Sequence, residues 1–324
     1  TDGHGNVRVM GRAQARDGYT TGVRAYSYRR KGSKAWEPLS TVGPDNAGFD
    51  PHGVDPALDA AYGLKRVDGK LAAFTRALDG SGAEKLVYAH PHVDVTGFAR
   101  IGRNGRIIGA TYSTDVPAVE YFDPAVARLV QSLTKALPKL PLVRVIDSSE
   151  DENRLLIWAG SDADPGRYFL FDRTSKKLNE LGLVRPDLET VKLATMRHVT
   201  YPAADGTMIP AYLTLPPAGE ARNIPAIVLP HGGPGARDDW GFDWLSQFFA
   251  NQGFAVLQPN FRGSTGYGDA WFQKNGFQSW RTAIGDVTDA GRWLVKQGIA
   301  DPAKLGILGW SYGGYAALQS AVVE

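Results

Sequence analysis

The stretch Gly309-Trp-Ser-Tyr-Gly-Gly314 constrains the fold of this chain more than any other. The apolar run Leu305–Leu308 precedes it and predicts a buried strand, and the helix-tolerant residues 315–323 follow it. Strand, sharp turn and helix in this order are the context of a G-x-S-x-G nucleophile elbow, with Ser311 at the turn. Glycine is needed at positions 309 and 313, because side chains there would collide where strand and helix pass. The alternative interpretation is a glycine-rich strand-to-helix turn that carries a serine by chance.

The elbow predicts two functional groups. The turn lifts the hydroxyl of Ser311 clear of the sheet, so that Ser311 is the candidate nucleophile. It also places the backbone N–H of Tyr312 at the N-terminus of the following helix, where a developing oxyanion is stabilised.

The sequence from residue 196 onward alternates strands and helices. A hairpin is predicted over 199–215, buried apolar strands over 225–230 and 254–258, and helices over 242–252 and 283–297. This alternation predicts an α/β sheet. The Ser311 turn lies at the carboxyl end of a strand, where such sheets bind ligands.

A second glycine-rich segment, His231-Gly-Gly-Pro-Gly235, follows the strand at 226–229. In α/β hydrolases a glycine-rich loop at this place supplies the other oxyanion donor, since glycine lets a backbone N–H approach the substrate carbonyl. A plain glycine turn is the alternative. The nucleophile elbow about 80 residues downstream favours the functional interpretation.

The first 195 residues have a different pattern, in which short predicted strands repeat and turn-forming residues separate them. Two strand pairs share a layout that ends in Phe-Asp, and their phenylalanines, Phe122 and Phe171, are 171 − 122 = 49 residues apart. This spacing falls in the roughly 40–50-residue range of propeller blades, so that an incomplete β-propeller is predicted, with a β-sandwich as the alternative. A single helix is expected here, over 125–137.

Composition excludes several classes of function. The net charge of +2 gives no argument for nucleic acid or a membrane surface as a partner, and the absence of cysteine excludes disulfides and thiolate chemistry. No apolar run approaches the ~20 residues of a membrane span. The compartment, whether cytoplasmic or periplasmic and secreted, and the oligomeric state stay open.

One segment has the spacing of a metal site. On an extended strand His90, His92 and Asp94 would share one face, where two imidazoles and a carboxylate converge. No further histidine cluster follows, so we expect a solvent-facing strand edge, with no metal and no cofactor. The acidic run 148–153 is interpreted in the same way, as a solvated turn before a strand.

Four motifs together resemble the peptidase domain of the prolyl oligopeptidase family, above all its acylaminoacyl-peptidase and dipeptidyl-aminopeptidase-like branch. They are HGGPGARDDW at 231–240, QPNFRGSTGYG at 258–268, GIADP at 298–302 and GWSYGGY at 309–315. The motifs cover residues 200–324 densely, whereas residues 1–195 resemble the family only in their repeated short strands and contain none of these motifs.

The resemblance implies a serine peptidase that acts on short peptides through an acyl-enzyme. By the same resemblance a β-propeller precedes the α/β-hydrolase domain and restricts access to its site. Ser311 would be the nucleophile, and the N–H groups of Tyr312 and Gly233 would form the oxyanion hole. Some branches place a tyrosine hydroxyl where this chain has His231, and that departure favours a backbone donor here.

The sequence departs from the family in its catalytic triad. In α/β hydrolases the order along the chain is Ser, Asp or Glu, then His, but after Ser311 there is no histidine and no aspartate. We therefore expect an internal fragment of a longer peptidase, inactive by itself. It would comprise a partial propeller over 1–195 and the first part of the peptidase domain over 196–324. A carboxylesterase or lipase and a non-catalytic propeller-based binding module are the alternatives.

Overall fold

The computed structural model describes residues 1–102, 104–219, 221–272 and 277–323, without the side chain of Phe277. The first half consists of four antiparallel sheets that follow one another along the chain. Sheet 1 contains β1 (Val9–Arg16), β2 (Tyr19–Tyr28) and β3 (Glu37–Val42). Sheet 2 contains β4 (Asp50–Asp55), β5 (Ala60–Val67), β6 (Lys70–Ala77) and β7 (Glu84–Tyr88). Sheet 3 contains β8 (Val95–Ile101), β9 (Arg106–Ser113) and β10 (Pro117–Tyr121). Sheet 4 contains β11 (Leu142–Ser148), β12 (Arg154–Gly160), β13 (Arg167–Asp172) and β14 (Lys177–Leu183).

In each of these sheets, consecutive strands are hydrogen-bonded neighbours, which makes every sheet an up-and-down meander. In the β6–β7 pair of sheet 2, for example, Phe74 lies opposite Leu86. The two Phe-Asp segments also occupy equivalent places, since Phe171 lies in the third strand of sheet 4 and Phe122 directly follows the third strand of sheet 3.

The two Phe-Asp segments diverge after the aspartate. The carboxylate of Asp123 accepts the N–H groups of Ala125 and Val126, and Pro124 occupies the first helical turn, so that helix α1 (Pro124–Ala136) begins here. The carboxylate of Asp172 instead accepts the N–H of Ser175 and closes the turn into β14. A helix thus stands in sheet 3 where sheet 4 has its fourth strand, as predicted over 125–137.

The second half is built on one mixed sheet of five strands in the order β15-β16-β18-β17-β19. The hairpin β15–β16 is antiparallel to β18, whereas β18, β17 and β19 run parallel. These strands are β15 (Met196–Pro202), β16 (Met208–Thr214), β17 (Ile224–Val228), β18 (Ala255–Pro259) and β19 (Ala300–Ile307). In the described residues β15 and β19 are the two edge strands of this sheet.

Four helices accompany the mixed sheet: α2 (Trp244–Asn251), α3 (Asp269–Phe272), α4 (Trp280–Lys296) and α5 (Tyr312–Val323). The largest buried cluster joins α4 to the sheet, with Val287 and Leu294 packed against Leu213, Val228 and Leu257. This packing fixes the sheet whose strand ends carry the predicted site. Among the described residues, no helix combines the length and the apolar character needed to cross a bilayer.

Three turns from the first half contact the second half, and each joins the second and third strands of its sheet. In the β5–β6 turn the carbonyl of Gly69 accepts the N–H of Asp269 at 2.8 Å. The β9–β10 turn contacts Arg237 and Asp239. After β12, the carboxylate of Asp162 accepts the N–H of Met196 at 2.6 Å. Because all three turns contact the second half of the chain, the equivalent ends of sheets 2, 3 and 4 face it.

Candidate active site

Ser311 stands between β19 and α5 in a backbone conformation that is rare for serine. Its φ is +55°, in the left-handed region, and the residue is exposed. Such conformations cost about 1–3 kcal/mol and are retained where the surrounding structure imposes them. Here the N–H of Gly313 donates to the carbonyl oxygen of Trp310 at 2.9 Å, and the N–H of Tyr315 donates to the carbonyl oxygen of Ser311 at 3.0 Å.

Close backbone contacts impose this turn. A Cβ built on Gly309 would lie 2.2 Å from the carbonyl carbon of Gly313, and one built on Gly313 would lie 2.1 Å from the carbonyl oxygen of Pro230. Carbon atoms do not approach backbone atoms at such distances, so that glycine is required at both positions. The geometry is that of a strained strand-to-helix turn with its serine presented to solvent.

The glycine-rich loop after β17 lies directly beside the serine. A Cβ built on Gly232 would be 3.5 Å from the Cβ of Ser311 and 3.1 Å from the carbonyl oxygen of Trp310. Gly233 follows with φ +120°, a conformation open to glycine, and is exposed. Tyr312 is the first residue of α5, where backbone N–H groups point away from the helix. The structure thus brings Ser311, Tyr312 and Gly233 together.

His231 closes the base of this loop. Its ring stacks on Phe261 with centroids 4.4 Å apart, and Phe261 stacks in turn on Tyr312 at 5.8 Å. The ring Nδ1 lies 2.7 Å from the carbonyl oxygen of Gly232, and Nε2 lies 2.7 Å from Ser264 Oγ. Burial lowers the pKa of His231 to about 4, because the charged ring would lose its hydration. The imidazole is therefore neutral at neutral pH.

The outer end of the same loop is held by the β9–β10 turn. The Arg237 guanidinium donates to the carbonyl oxygens of Ser113 at 3.2 Å and Thr114 at 3.1 Å. It also lies 2.9 Å from the Asp239 carboxylate and 4.5 Å from the ring centre of Tyr267. With its side chain 7% exposed, Arg237 fixes the loop between two sheets.

A hollow of about 680 Å³ opens beside this contact, between sheets 3 and 4. Its wall includes Tyr112 and Ser113 of β9, Leu142 of β11, and Arg237 and Thr265 of the second half. The hollow therefore borders the segments that hold the glycine-rich loop.

The segment with metal-ligand spacing is not on a strand, which corrects the extended arrangement expected from its sequence. It lies in the β7–β8 connection, where the ring Nδ1 of His90 accepts the N–H groups of His92 and Val93 and bends the chain. The carboxylate of Asp94 accepts the N–H of Leu71 at 2.8 Å and that of Gly268 at 3.0 Å. Asp94 thus joins sheet 2 to the second half of the chain and does not face the two imidazoles as a ligand set.

The acidic run lies in the β11–β12 turn, as predicted. Glu152 receives two hydrogen bonds from Arg106, at 3.0 and 2.7 Å, and Asp151 accepts from the side chain of Ser149 and the backbone of Asn153. These carboxylates therefore hold the turn together.

Arg237 and Ser264 belong to the family-like motifs, but no role for either was predicted from the sequence. Arg237 follows the glycine-rich loop, and Ser264 lies after β18, where its hydroxyl meets His231. The signal that could have found them is their presence in the motifs at 231–240 and 258–268, both of which precede the elbow. Their partners, however, come from other strands and cannot be assigned from spacing.

Comparison with known proteins supports the motif analysis. The chain is 32% identical over 311 residues to dipeptidyl aminopeptidase BIII of Pseudoxanthomonas mexicana. This match covers 90% of this chain and 43% of that protein. It is 33% identical over 197 residues to dipeptidyl peptidase family member 6 of Caenorhabditis elegans, 54% of this chain and 27% of the relative. The chain spans less than half the length of these relatives.

Solved structures share the fold. A puromycin-hydrolysing peptidase of Mycobacterium tuberculosis superposes with a TM-score of 0.69 at 21% identity, over 93% of this chain and 47% of that one. Residues 240–323 match the prolyl oligopeptidase family, and this stretch includes Ser311 and the whole of α5. The resemblance that the motifs predicted is therefore confirmed, and the segment that carries the Ser311 turn belongs to the prolyl oligopeptidase family.

Proposed function

We propose that this chain is part of a serine peptidase that hydrolyses short peptides through an acyl-enzyme. The hydroxyl of Ser311 attacks the substrate carbonyl, and the N–H groups of Tyr312 and Gly233 stabilise the negative charge on its oxygen. A histidine and an aspartate beyond residue 324 complete the triad in the chain order of α/β hydrolases.

The observation that carries this proposal is the conformation of Ser311. Ser311 is exposed between a strand and a helix at φ +55°, in a turn where two glycines are sterically required, and a rare conformation imposed in this way is typical of functional sites. The neighbouring Gly232 places a backbone loop at the serine, as an oxyanion hole requires. Sequence relatives named as peptidases, among them a dipeptidyl aminopeptidase, support peptides as the substrate class.

His231 does not serve as the base in this proposal. Its two ring nitrogens are engaged by the carbonyl of Gly232 and by Ser264, and in the described part of the chain no histidine is hydrogen-bonded to Ser311. A neutral ring with both nitrogens committed is poorly placed to take the proton of the serine hydroxyl.

The sheets of the first half complete the proposal. We interpret residues 1–195 as part of a β-propeller, with sheets 1–4 as its blades, and residues 196–324 as the first part of the α/β-hydrolase domain. The equivalent turns of sheets 2, 3 and 4 face the second half, so that a propeller would cover the site and limit it to short peptides.

The test is to replace Ser311 by alanine in the full-length gene product. Ser311→Ala should lower the hydrolysis of an aminoacyl nitroanilide by several orders of magnitude and abolish labelling by a fluorophosphonate. Ser132→Ala, an exposed serine on α1, is the matched control and should retain both. Turnover of nitrophenyl esters without turnover of peptides would favour an esterase. An unlabelled, inactive wild-type protein would favour a binding module.

A further inference from the structure

His231 lies partly buried beside the candidate nucleophile, yet the proposed mechanism gives it no task. We propose that His231 is a positioning residue that fixes the orientation of the Gly232–Gly233 peptide and so directs the N–H of Gly233 into the oxyanion hole. This inference rests on the proposed function, because it assigns a role within the same site.

The first step of the argument is the contact between His231 and its own loop. Ring Nδ1 lies 2.7 Å from the carbonyl oxygen of Gly232. A carbonyl oxygen only accepts hydrogen bonds, so that Nδ1 must carry the hydrogen and donate it. The carbonyl of Gly232 is thereby held toward the imidazole ring.

The second step follows from the planarity of the peptide bond. In a trans peptide the C=O and N–H groups lie in one plane and point in opposite directions within it. With the Gly232 carbonyl directed at the ring, the N–H of Gly233 points away from the ring. Gly233 is exposed, and its N–H makes no hydrogen bond to any group in the described part of the chain. That N–H is therefore presented to a ligand.

The third step places this peptide at the reacting atoms. A Cβ on Gly232 would be 3.5 Å from the Cβ of Ser311, so that the Gly232–Gly233 peptide borders the serine side chain. Glycine at both loop positions leaves the peptide free to rotate by itself, because no side chain restricts φ and ψ. The hydrogen bond from His231 supplies the restraint that the glycines lack.

The fourth step shows how the tautomer of His231 is set. Nε2 lies 2.7 Å from the hydroxyl of Ser264, which is fully buried. In a neutral ring with a proton on Nδ1, Nε2 is an acceptor and Ser264 must donate to it. The same hydroxyl lies 2.7 Å from the carbonyl oxygen of Phe261. The hydroxyl has one hydrogen, which goes to Nε2. The carbonyl oxygen of Phe261 still accepts two other hydrogen bonds, from the N–H of Ser264 at 2.9 Å and from the indole of Trp271 at 3.1 Å.

The depressed pKa of His231 agrees with a neutral ring. The stack on Phe261, with rings 16° from parallel, holds the plane of the imidazole, and the contacts with Gly232 and Ser264 fix its nitrogens within that plane. Ser264 and Phe261 thus orient the histidine, and the histidine orients the peptide.

The test compares three substitutions at 231 in the full-length protein. The amide nitrogen of asparagine lies as many bonds from the backbone as Nδ1 and can donate to Gly232, whereas that of glutamine corresponds to Nε2 and reaches toward Ser264. Leucine offers no donor. Removing an oxyanion donor costs roughly 10²–10³ in kcat, so that we expect His231→Leu and His231→Gln to lose about 10- to 10³-fold in kcat.

The expected pattern separates positioning from mere packing. KM should change little in the three variants, His231→Asn should stay within about tenfold of the wild-type kcat, and binding of a peptide trifluoromethyl ketone, which forms a tetrahedral oxyanion, should weaken in parallel with kcat. Equal losses in the asparagine and glutamine variants, or a loss confined to KM, would overturn the proposal.

A second measurement does not depend on activity. In protein labelled with ¹⁵N-histidine, the resonances of His231, assigned by their disappearance in His231→Asn, should show the neutral Nδ1–H tautomer at pH 7. Ser264→Ala should shift the ring toward the Nε2–H form. An Nε2–H ring or an imidazolium in the wild type would refute the orientation of the peptide, even if Ser311→Ala had confirmed the nucleophile. Conversely, loss of the proposed function would appear as unaltered turnover in Ser311→Ala.

Discussion

The hydroxyl of Ser113 donates a hydrogen bond of 2.6 Å to the carboxylate of Asp239, 126 residues further along the chain. Ser113 ends β9 in sheet 3, and Asp239 lies six residues after Gly233 in the segment that forms the candidate oxyanion loop. The same carboxylate is paired with Arg237, which in turn donates to the carbonyls of Ser113 and Thr114. The position of the loop therefore depends on a sheet of the first half.

We predict that Ser113→Ala destabilises the protein by about 1.5–3 kcal/mol, the contribution of a hydrogen bond to a charged group. Ser113 is buried, so that water cannot readily replace the lost hydroxyl. Chemical denaturation of the full-length protein measures the effect, with the exposed Ser132→Ala as the control. A midpoint equal to that of the control would show that this contact does not hold the two halves together.

Gly313→Ala should disrupt the elbow. The added Cβ would lie 2.1 Å from the carbonyl oxygen of Pro230, so that backbone must move, at a cost of roughly 1–3 kcal/mol or more. We expect a lower melting temperature and the loss of fluorophosphonate labelling at Ser311. Gly285→Ala in α4 is the matched control, because nothing lies within 4 Å of its added methyl and alanine favours a helix by about 1 kcal/mol. If both variants label like wild type, the turn tolerates a side chain and our account of it is wrong.

The lowered pKa of the partly buried His231 should make stability depend on pH. Its pKa is about 4 in the folded protein, against 6.5 for an ordinary histidine, so that between these values the unfolded chain binds the extra proton. Stability from this group is therefore full above pH 6.5 and lost as the pH falls toward 4, by an amount on the order of 3 kcal/mol at 1.4 kcal/mol for each pKa unit.

Denaturation midpoints at pH 7, 5.5 and 4 test this expectation. His231→Asn lacks the titrating group and should lose less stability over the same interval than wild type. Parallel curves for the two proteins would contradict the burial of a neutral imidazole.

Residues 1–324 expressed alone should hydrolyse no peptide nitroanilide, because among the described residues no histidine is hydrogen-bonded to Ser311 to accept its proton. They should also self-associate. β19 is an edge strand, and beside it Trp310 and Leu318 are 84% and 75% exposed. Sedimentation velocity should show that Leu318→Lys reduces association. Leu58→Lys, at a leucine 59% exposed between β4 and β5, should not. A monomer with turnover equal to that of the full-length protein would contradict both expectations.

The sequence by itself determined the local elements of this protein. The order of strand, glycine turn and helix around Ser311 is encoded in adjacent residues, because the steric need for glycine arises within the turn. The helix after Asp123 is equally local, since its cap and its first-turn proline are neighbours in sequence. The alternation after residue 196 likewise predicted the hairpin β15–β16 and the buried parallel strands β17 and β18.

Spacing misled at His90–Asp94, because alternation predicts a shared face only where the chain is extended. There the ring of His90 accepts backbone N–H groups and bends the segment, and Asp94 is drawn to Gly268, 174 residues away. No pattern within five residues encodes that partner.

Only the tertiary structure decided which groups meet around Ser311. The approach of Gly232 to the serine depends on β17 and β19 being parallel neighbours, although some 70 residues separate them in sequence. The contacts of His231 with Ser264 and of Ser113 with Asp239 depend likewise on how strands and sheets are ordered in space. Local sequence determines backbone conformation through sterics and hydrogen bonds between neighbours, whereas these contacts arise from burial of apolar surface by the whole chain, which brings distant segments together.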